Sequence, residues 1–164
     1  MQPGFAIPRS AVWLAAIGTA LSVAAIPAPA SAQSATSPVV QVTAKGSVTE
    51  VVGQLRKMVA SKGMMVMGEL HQGKVIGMTG LQVESETIFV GNPQVGKTLF
   101  GADPGVGVAV PVRVNVFRNA QGATVVSYVP PSEILKGFHN PQIDQVAQML
   151  DATLHGMVGM LGGM

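Results

Sequence analysis

Among the side chains able to do chemistry, His71 is the leading candidate because it follows a predicted strand at residues 64–70. A side chain at a strand end reaches a sheet edge or a cleft, where an imidazole can act as a general base or hold a ligand. Asn92 and Tyr128 would lie close by if their strands are neighbours. We therefore take His71 as the candidate catalytic residue, and His71, Asn92 and Tyr128 as candidate ligand-binding residues. The alternative, which a lone histidine favours, is a structural imidazole bonded to a backbone carbonyl at a turn.

Recognisable catalytic sets do not appear elsewhere in the sequence. There is no Ser-His-Asp order, and Glu84 and Glu86 are interpreted as solvated residues that flank a strand rather than as an acid/base pair. Enzymatic activity is therefore less favoured than binding, and an enzyme that uses His71 is kept as an alternative.

The segment Gly91–Thr98 matches the phosphate-binding pattern G-x-x-x-x-G-K-[ST] letter for letter. Three features argue against nucleotide binding. The leader described below sends the protein to a compartment poor in nucleoside triphosphates, no second strand ends in an aspartate placed to hold a metal, and a predicted hairpin conflicts with a parallel sheet. Because Asp103 and Pro104 should end any helix after one turn, we predict a Gly/Pro turn that leaves a strand, and no cofactor.

Methionines cluster near the C-terminus beside His155, namely Met149, Met157, Met160 and Met164. Thioethers are soft ligands for Cu(I) or Ag(I), and helical spacing places Met157, Met160 and Met164 on one flank as weak candidate metal ligands. The same spacing points His155 away from Met160. The favoured interpretation is packing, with Met157 in the core and Met149, Thr153 and Met160 facing a partner helix. The methionines of the predicted strand at residues 64–70, Met64, Met65 and Met67, are likewise expected to be mostly core residues.

Residues 1–32 have the pattern of a cleavable signal peptide. Arg9 precedes an apolar run, Pro27 and Pro29 end it, and Ala30-Ser31-Ala32 supplies a small-x-small cleavage site. We predict cleavage after about Ala32 and a periplasmic or secreted product without a stable membrane span. The alternative is an uncleaved anchor, for which the Ala-rich run is marginal in hydrophobicity.

The composition of the chain limits the kinds of partner that it is expected to bind. The chain has no cysteine, so neither disulfides nor lipid attachment through cysteine contributes. Its formal net charge is only +2, and the basic residues are scattered. We therefore expect no nucleic-acid partner and no binding to a membrane surface.

The remaining chain divides into a flexible spacer at residues 33–38 and one domain at residues 39–164. Strands are predicted near residues 39–44, 64–70, 86–90, 112–117 and 123–129 from alternating or continuous apolar patterns. A helix begins after Ser47, which forms an S-x-x-E capping box with Glu50. This helix ends near Gly63. A second helix begins after Asn140. These elements predict an α+β fold, a two-layer sandwich whose mainly antiparallel sheet carries helices on one face.

A family resemblance runs through most of residues 39–137. The segments Ile88–Pro93, Gly96–Leu99 and Val110–Val114, followed by Tyr128, resemble the domain of unknown function 302 family, and His71 and Gly80-Leu81 match positions of that family. The resemblance implies a compact α+β domain without an established activity, often paired into dimers, so a homodimer is a candidate state. Leu70 departs from the family, which often carries an acidic residue before the histidine, and Val129-Pro130 departs after the tyrosine.

The function most consistent with these features is a non-enzymatic module of the cell envelope that binds an unknown small ligand or another protein. Soft-metal binding through the C-terminal methionines is the first alternative, and an enzyme that uses His71 is the second.

Overall fold

The computed structural model describes residues 39–163. The predicted signal peptide and spacer, and Met164 at the C-terminus, lie outside the described residues.

In residues 39–163, five strands form one antiparallel sheet in the order β1-β5-β4-β3-β2. The strands are β1 (Val40–Ala44), β2 (Met65–Leu70), β3 (Ser85–Gly91), β4 (Val112–Arg118) and β5 (Thr124–Tyr128). Every neighbouring pair is antiparallel. The strand order places β1 and β2 at the two edges of the sheet. All five predicted strands are confirmed, and so is the α+β class.

In the described part of the chain, five α-helices accompany the sheet: α1 (Val48–Ser61), α2 (Gln72–Gly77), α3 (Pro93–Ala102), α4 (Pro131–Leu135) and α5 (Pro141–Gly162). Short 3₁₀ helices follow α3 and α4. The capping box at the start of α1 is confirmed, because the Ser47 and Glu50 side chains each accept a hydrogen bond from the other residue's backbone N–H. Asn140 caps α5 in the predicted way. Within residues 39–163, every helix is too short or too polar to span a bilayer.

One face of the sheet carries the main core, and we call it the helix face. Ile88, Val114 and Val126 lie on this face at successive strands and are buried beneath α1 and α5. Strand alternation sends Thr87 and Asn115 to the second face. There the hydroxyl of Thr87 contacts the side-chain amide of Gln72, the first residue of α2.

The segment from Pro93 to Ala102 forms a helix, so the prediction of a Gly/Pro turn there was wrong. Asn92 accepts hydrogen bonds from two backbone N–H groups of the first turn, and Pro93 at the first position suits a helix start. Asp103 does end the helix, but only after ten residues. Leu99 is buried on the inner side of α3, and this tertiary contact outweighs the glycines within the helix.

The methionines of β2 are only partly in the core. Met64, just before the strand, is buried, whereas Met65 and Met67 are about half exposed at 48% and 57%. Their exposure follows from the position of β2 at the sheet edge. The expectation that these methionines are mostly core residues is therefore wrong, because only Met64 of the three is buried.

Candidate functional site

His71 lies between β2 and α2, where it is the N-cap residue of the short helix. Its backbone carbonyl accepts hydrogen bonds from the N–H groups of Lys74 and Val75, whereas its side chain makes no capping bond. The imidazole instead faces Glu86 of β3, with 3.4 Å between Nδ1 and Oε2. The side chain is 47% exposed. His71 is thus held by its backbone, and its ring remains open to ligands.

A β-bulge in β2 brings a second carboxylate to the same place. Val66 pairs with Val90, and Gly68 then pairs with Phe89, so Met67 is the extra residue. The bulge reverses the alternation beyond it, and Glu69 pairs with Ile88 on the helix face. A regular strand would have turned Glu69 to the second face.

Arg56 of α1 joins the two carboxylates. Its Nε and one Nη atom each donate a 2.7 Å hydrogen bond to Glu69, and the same Nη atom donates a 3.3 Å bond to Glu86. The forked geometry of a guanidinium matches a carboxylate in this bidentate way. We call Arg56, Glu69, His71 and Glu86 the charged cluster.

The position of Glu86 corrects the interpretation of that residue as a solvated one. Its side chain is only 13% exposed and contacts both Arg56 and His71. Glu84, two residues earlier, is largely solvated as expected, and it pairs with Arg118. The sequence does not reveal the difference, because it depends on α1 crossing the sheet above Glu86.

Asn92 does not share a cleft with His71. Since β2 and β3 are antiparallel, the end of β3 lies beside the start of β2, at the opposite end of the ladder from His71. The Asn92 side chain caps α3 with Oδ1, and its Nδ2 donates a 2.8 Å hydrogen bond to the carbonyl of Gly63. Its polar atoms are therefore committed to holding the fold.

Tyr128 is also distant from His71. It lies on β5, which is separated from β2 by two strands, and it is 4% exposed within the main core. Burial raises the pKa of the Tyr128 phenol, and the nearby Asp151 carboxylate raises it further. The structure thus does not bring His71, Asn92 and Tyr128 together, and the single cleft expected for them is absent from residues 39–163.

An apolar cavity of about 190 Å³ lies between α3, α5 and the ends of β3 and β4. Apolar side chains, backbone and one amide line it: Met67, Val90, Gly91, Asn92, Pro93, Val95, Gly96, Leu99, Phe100, Val110, Pro111, Val112 and Leu150. Met67 and Phe100 are 57% and 46% exposed, so they mark the place where the cavity meets solvent. Asn92 was predicted from the sequence as a ligand-binding residue, but the cavity was not, because no local pattern signals a space between a helix and a sheet.

The polar side chain that lines this cavity already has hydrogen-bond partners. Asn92 is the single lining residue with a polar side chain among the described residues, and its amide is bonded to α3 and to Gly63. The absence of a side chain at Gly91 lets the Met67 side chain pack against the backbone of β3, since a Cβ at Gly91 would lie 2.5 Å from the Met67 sulfur. The cavity consequently offers shape and apolar surface without a charged partner.

Five of the eight residues that match the phosphate-binding pattern line this cavity, and the segment forms a helix start rather than a phosphate loop. In a phosphate loop the free N–H groups precede the helix, whereas here the helix begins at Pro93 and Asn92 accepts the N–H groups of Gln94 and Val95. The antiparallel sheet also differs from the parallel sheet of such enzymes. The geometry supports the argument against nucleotide binding.

The C-terminal methionines have different surroundings. Met157 is 1% exposed and belongs to the main core, as the packing interpretation predicted. Met149 and Met160 are each half exposed on α5, and Met164 lies outside the described residues. Because Met157 directs its thioether into the core, it is poorly placed to share an ion with Met160.

Exposed apolar side chains are concentrated around α2. They belong to residues 70–83, which we call the α2 segment, and comprise Leu70, Val75, Ile76, Met78, Leu81 and Val83. Scattered exposed apolar residues are ordinary, but a run of this density is typical of an interaction surface.

Comparison with known proteins gives a family and a fold. A family model described as "Domain of unknown function DUF302" matches residues 40–161. The crystal structure of an uncharacterized conserved DUF302 protein from Bacillus stearothermophilus superimposes with a TM-score of 0.70, covering 75% of this chain and 97% of that chain. At 17% identity this likeness shows the fold alone. No curated protein shows significant similarity to the chain.

Proposed function

The chain belongs to the DUF302 family, a domain of unknown function, and we propose that it binds a small, uncharged, apolar molecule in the cavity beside α3. The single observation that supports this proposal is the cavity itself, with its volume of about 190 Å³ and its apolar lining. Because the cavity opens to solvent at Met67 and Phe100, its apolar lining is left in contact with water, and a bound apolar molecule would recover that free energy.

Size and chemistry select the class of ligand. An engineered protein cavity of about 150 Å³ holds benzene, so this slightly larger cavity suits a monocyclic aromatic or a branched aliphatic molecule. A charged ligand would lose its hydration without gaining a partner, since the Asn92 amide is already bonded. At about 0.7–0.9 kcal/mol per heavy atom, a ligand of roughly six to nine heavy atoms gains about 4–8 kcal/mol, which places dissociation constants in the micromolar to millimolar range.

The cavity favours binding over catalysis. Of the described residues that line it, none has a titratable side chain, so proton transfer has no donor or acceptor there. This is the physical basis for proposing a non-enzymatic module.

Calorimetric titration with benzene, toluene and indole, and with benzoate as the charged comparison, tests the proposal. We expect the neutral probes to bind and benzoate to bind at least about tenfold more weakly. Gly96→Leu should block binding, because Gly96 lines the cavity and a Cβ there meets no atom within 4 Å. Gly101→Leu is the matched control, since Gly101 is equally free of contacts on the same helix but does not line the cavity. Equal loss of binding in the two variants, or no binding by the wild type, would refute the proposal.

We further propose that the protein works in the periplasm or outside the cell after removal of residues 1–32. The support is the leader pattern in the sequence. Trp13 is the one tryptophan of the chain, so the processed protein should lack tryptophan fluorescence. Mass spectrometry of protein recovered from the envelope should show a new N-terminus near Gln33, whereas an intact Met1 would contradict export.

A second candidate role is self-association through the α2 segment. The concentration of exposed apolar side chains in residues 70–83 supports pairing with a second copy of the chain. Sedimentation velocity should show a dimer that Ile76→Glu converts to monomer, while Val108→Glu, at a 90% exposed position outside the segment, leaves the dimer intact. A wild-type monomer at high concentration would contradict this role.

A further inference from the structure

We infer that Glu69, His71 and Glu86 of the charged cluster form a site for a divalent transition-metal ion, for which Zn²⁺ is the probe. Each residue offers one ligand atom, and the three atoms lie within 4.8 Å of one another. The site is separate from the apolar cavity, because it lies at the other end of the β2–β3 ladder. It does not depend on the proposed function.

The donor set has the chemistry that zinc prefers. One imidazole nitrogen with two carboxylate oxygens gives three protein ligands, and a water molecule can complete a tetrahedron. Metal–ligand distances of about 2.0–2.1 Å place tetrahedral ligands roughly 3.3 Å apart. His71 Nδ1 and Glu86 Oε2 are already 3.4 Å apart, so this pair needs almost no adjustment.

Backbone structure positions all three ligands. Glu86 lies on β3, which is paired on both sides, the bulge at Met67 turns Glu69 onto the same face, and the N-cap position of α2 holds His71. Glu69 and His71 retain enough exposure to admit a hydrated ion from solvent, at 29% and 47% of their side chains. The required closure is confined to side-chain torsions at the sheet edge.

Arg56 competes with the ion for the two carboxylates of the site. Its guanidinium takes both oxygens of Glu69 and one oxygen of Glu86, so it neutralises carboxylates that the ion would otherwise bind. Its side chain is 46% exposed, so the guanidinium has room to turn into solvent when the carboxylates change partner. A divalent ion can therefore displace Arg56 into solvent, and removal of Arg56 should strengthen metal binding.

Titration calorimetry with ZnCl₂, on protein purified without a metal-binding tag, tests this inference. We expect one site in the wild type, weakened at least about tenfold by Glu86→Gln or by His71→Asn, since even residues that only orient metal ligands contribute that much. Arg56→Ala should bind Zn²⁺ about threefold to tenfold more tightly. Glu84→Gln and His155→Asn are the matched controls, because both residues lie outside the cluster, and they should bind as the wild type does.

Proton NMR of the imidazoles supplies a readout that does not rely on substitution. Stoichiometric Zn²⁺ should shift the ring signals of His71 and leave those of His139 and His155 in place. The inference is overturned if Zn²⁺ fails to bind both the wild type and Arg56→Ala, or if His155 signals shift while those of His71 do not. It is also overturned if Arg56→Ala binds more weakly than the wild type.

Discussion

Asn92 donates a hydrogen bond of 2.8 Å from Nδ2 to the carbonyl of Gly63, while its Oδ1 caps α3. One side chain thus fixes the start of α3 against the turn after α1, and α3 is the wall of the apolar cavity. The integrity of the cavity depends on this amide.

Asn92→Ala should therefore destabilise the domain by about 1–3 kcal/mol, the sum of a lost cap and a lost hydrogen bond. Asn140→Ala removes only a cap, from α5, and should cost about 0.5–2 kcal/mol. Urea unfolding followed by circular dichroism measures both. A cost for Asn92→Ala below that of Asn140→Ala would contradict the dual role.

The raised pKa of Tyr128 gives a prediction at alkaline pH. Burial, aided by Asp151, keeps the phenol protonated in the folded state above its ordinary range. Because the unfolded chain releases this proton first, the contribution to stability is present in full below about pH 10 and is lost as the pH rises through the folded pKa. Tyr128 is the one tyrosine in the chain, so tyrosinate absorbance reports it directly.

That absorbance should rise at a higher pH in the folded protein than in the urea-unfolded protein. Asp151→Asn should move the folded transition part of the way back, and it keeps an oxygen that can accept the Ser132 N–H bond. Coincident transitions for folded and unfolded wild type would show that the phenol is solvated.

The capping box of α1 gives a prediction at acid pH. Hydrogen bonds from the backbone N–H and the hydroxyl of Ser47 lower the pKa of Glu50. The contribution of this carboxylate to stability is present above the unfolded pKa and is lost as the pH falls through the folded pKa. Glu50→Gln keeps an acceptor but not the charge, so it should be less sensitive to acid. Thermal unfolding at several acid pH values measures this effect. If the wild type and Glu50→Gln lose thermal stability equally as the pH falls, the effect is excluded.

Alanine substitutions at two residues of α5 should differ sharply in their effect on the stability of the protein. Leu154 is fully buried in the main core, so Leu154→Ala should cost about 2–5 kcal/mol. Met149 is half exposed on the same helix, and Met149→Ala should change stability by less than about 0.5 kcal/mol. Guanidinium unfolding measures both, and a large cost for Met149→Ala would instead indicate that this side chain is buried in an assembly.

The strands and the two long helices were predictable because their signals are local. Alternation in β4, the Ser47–Glu50 capping box and the Asn140-Pro141 helix start each lie within a few residues. The helix α3 was missed because its glycines lower local helix propensity. The Asn92 cap and the burial of Leu99 compensate for this.

The charged cluster was only partly predictable. His71 was identified from its place after a strand, but Glu69 required the bulge at Met67, and Glu86 required Arg56 to reach it from α1. Both conditions are contacts between distant parts of the chain. This chain has Leu70 where the family often has an acidic residue directly before the histidine. Its acidic residue is Glu69, one position earlier, and the same bulge turns that side chain to the helix face.

The most direct test of ligand binding is a methyl NMR titration of the protein with benzene. We predict saturable shifts confined to methyl groups around the cavity, with Met67, Leu99 and Leu150 moving together. Shifts confined to the exposed methyl groups of Val75, Ile76 and Met78, or no saturable shifts at all, would contradict the assignment of the cavity as the binding site.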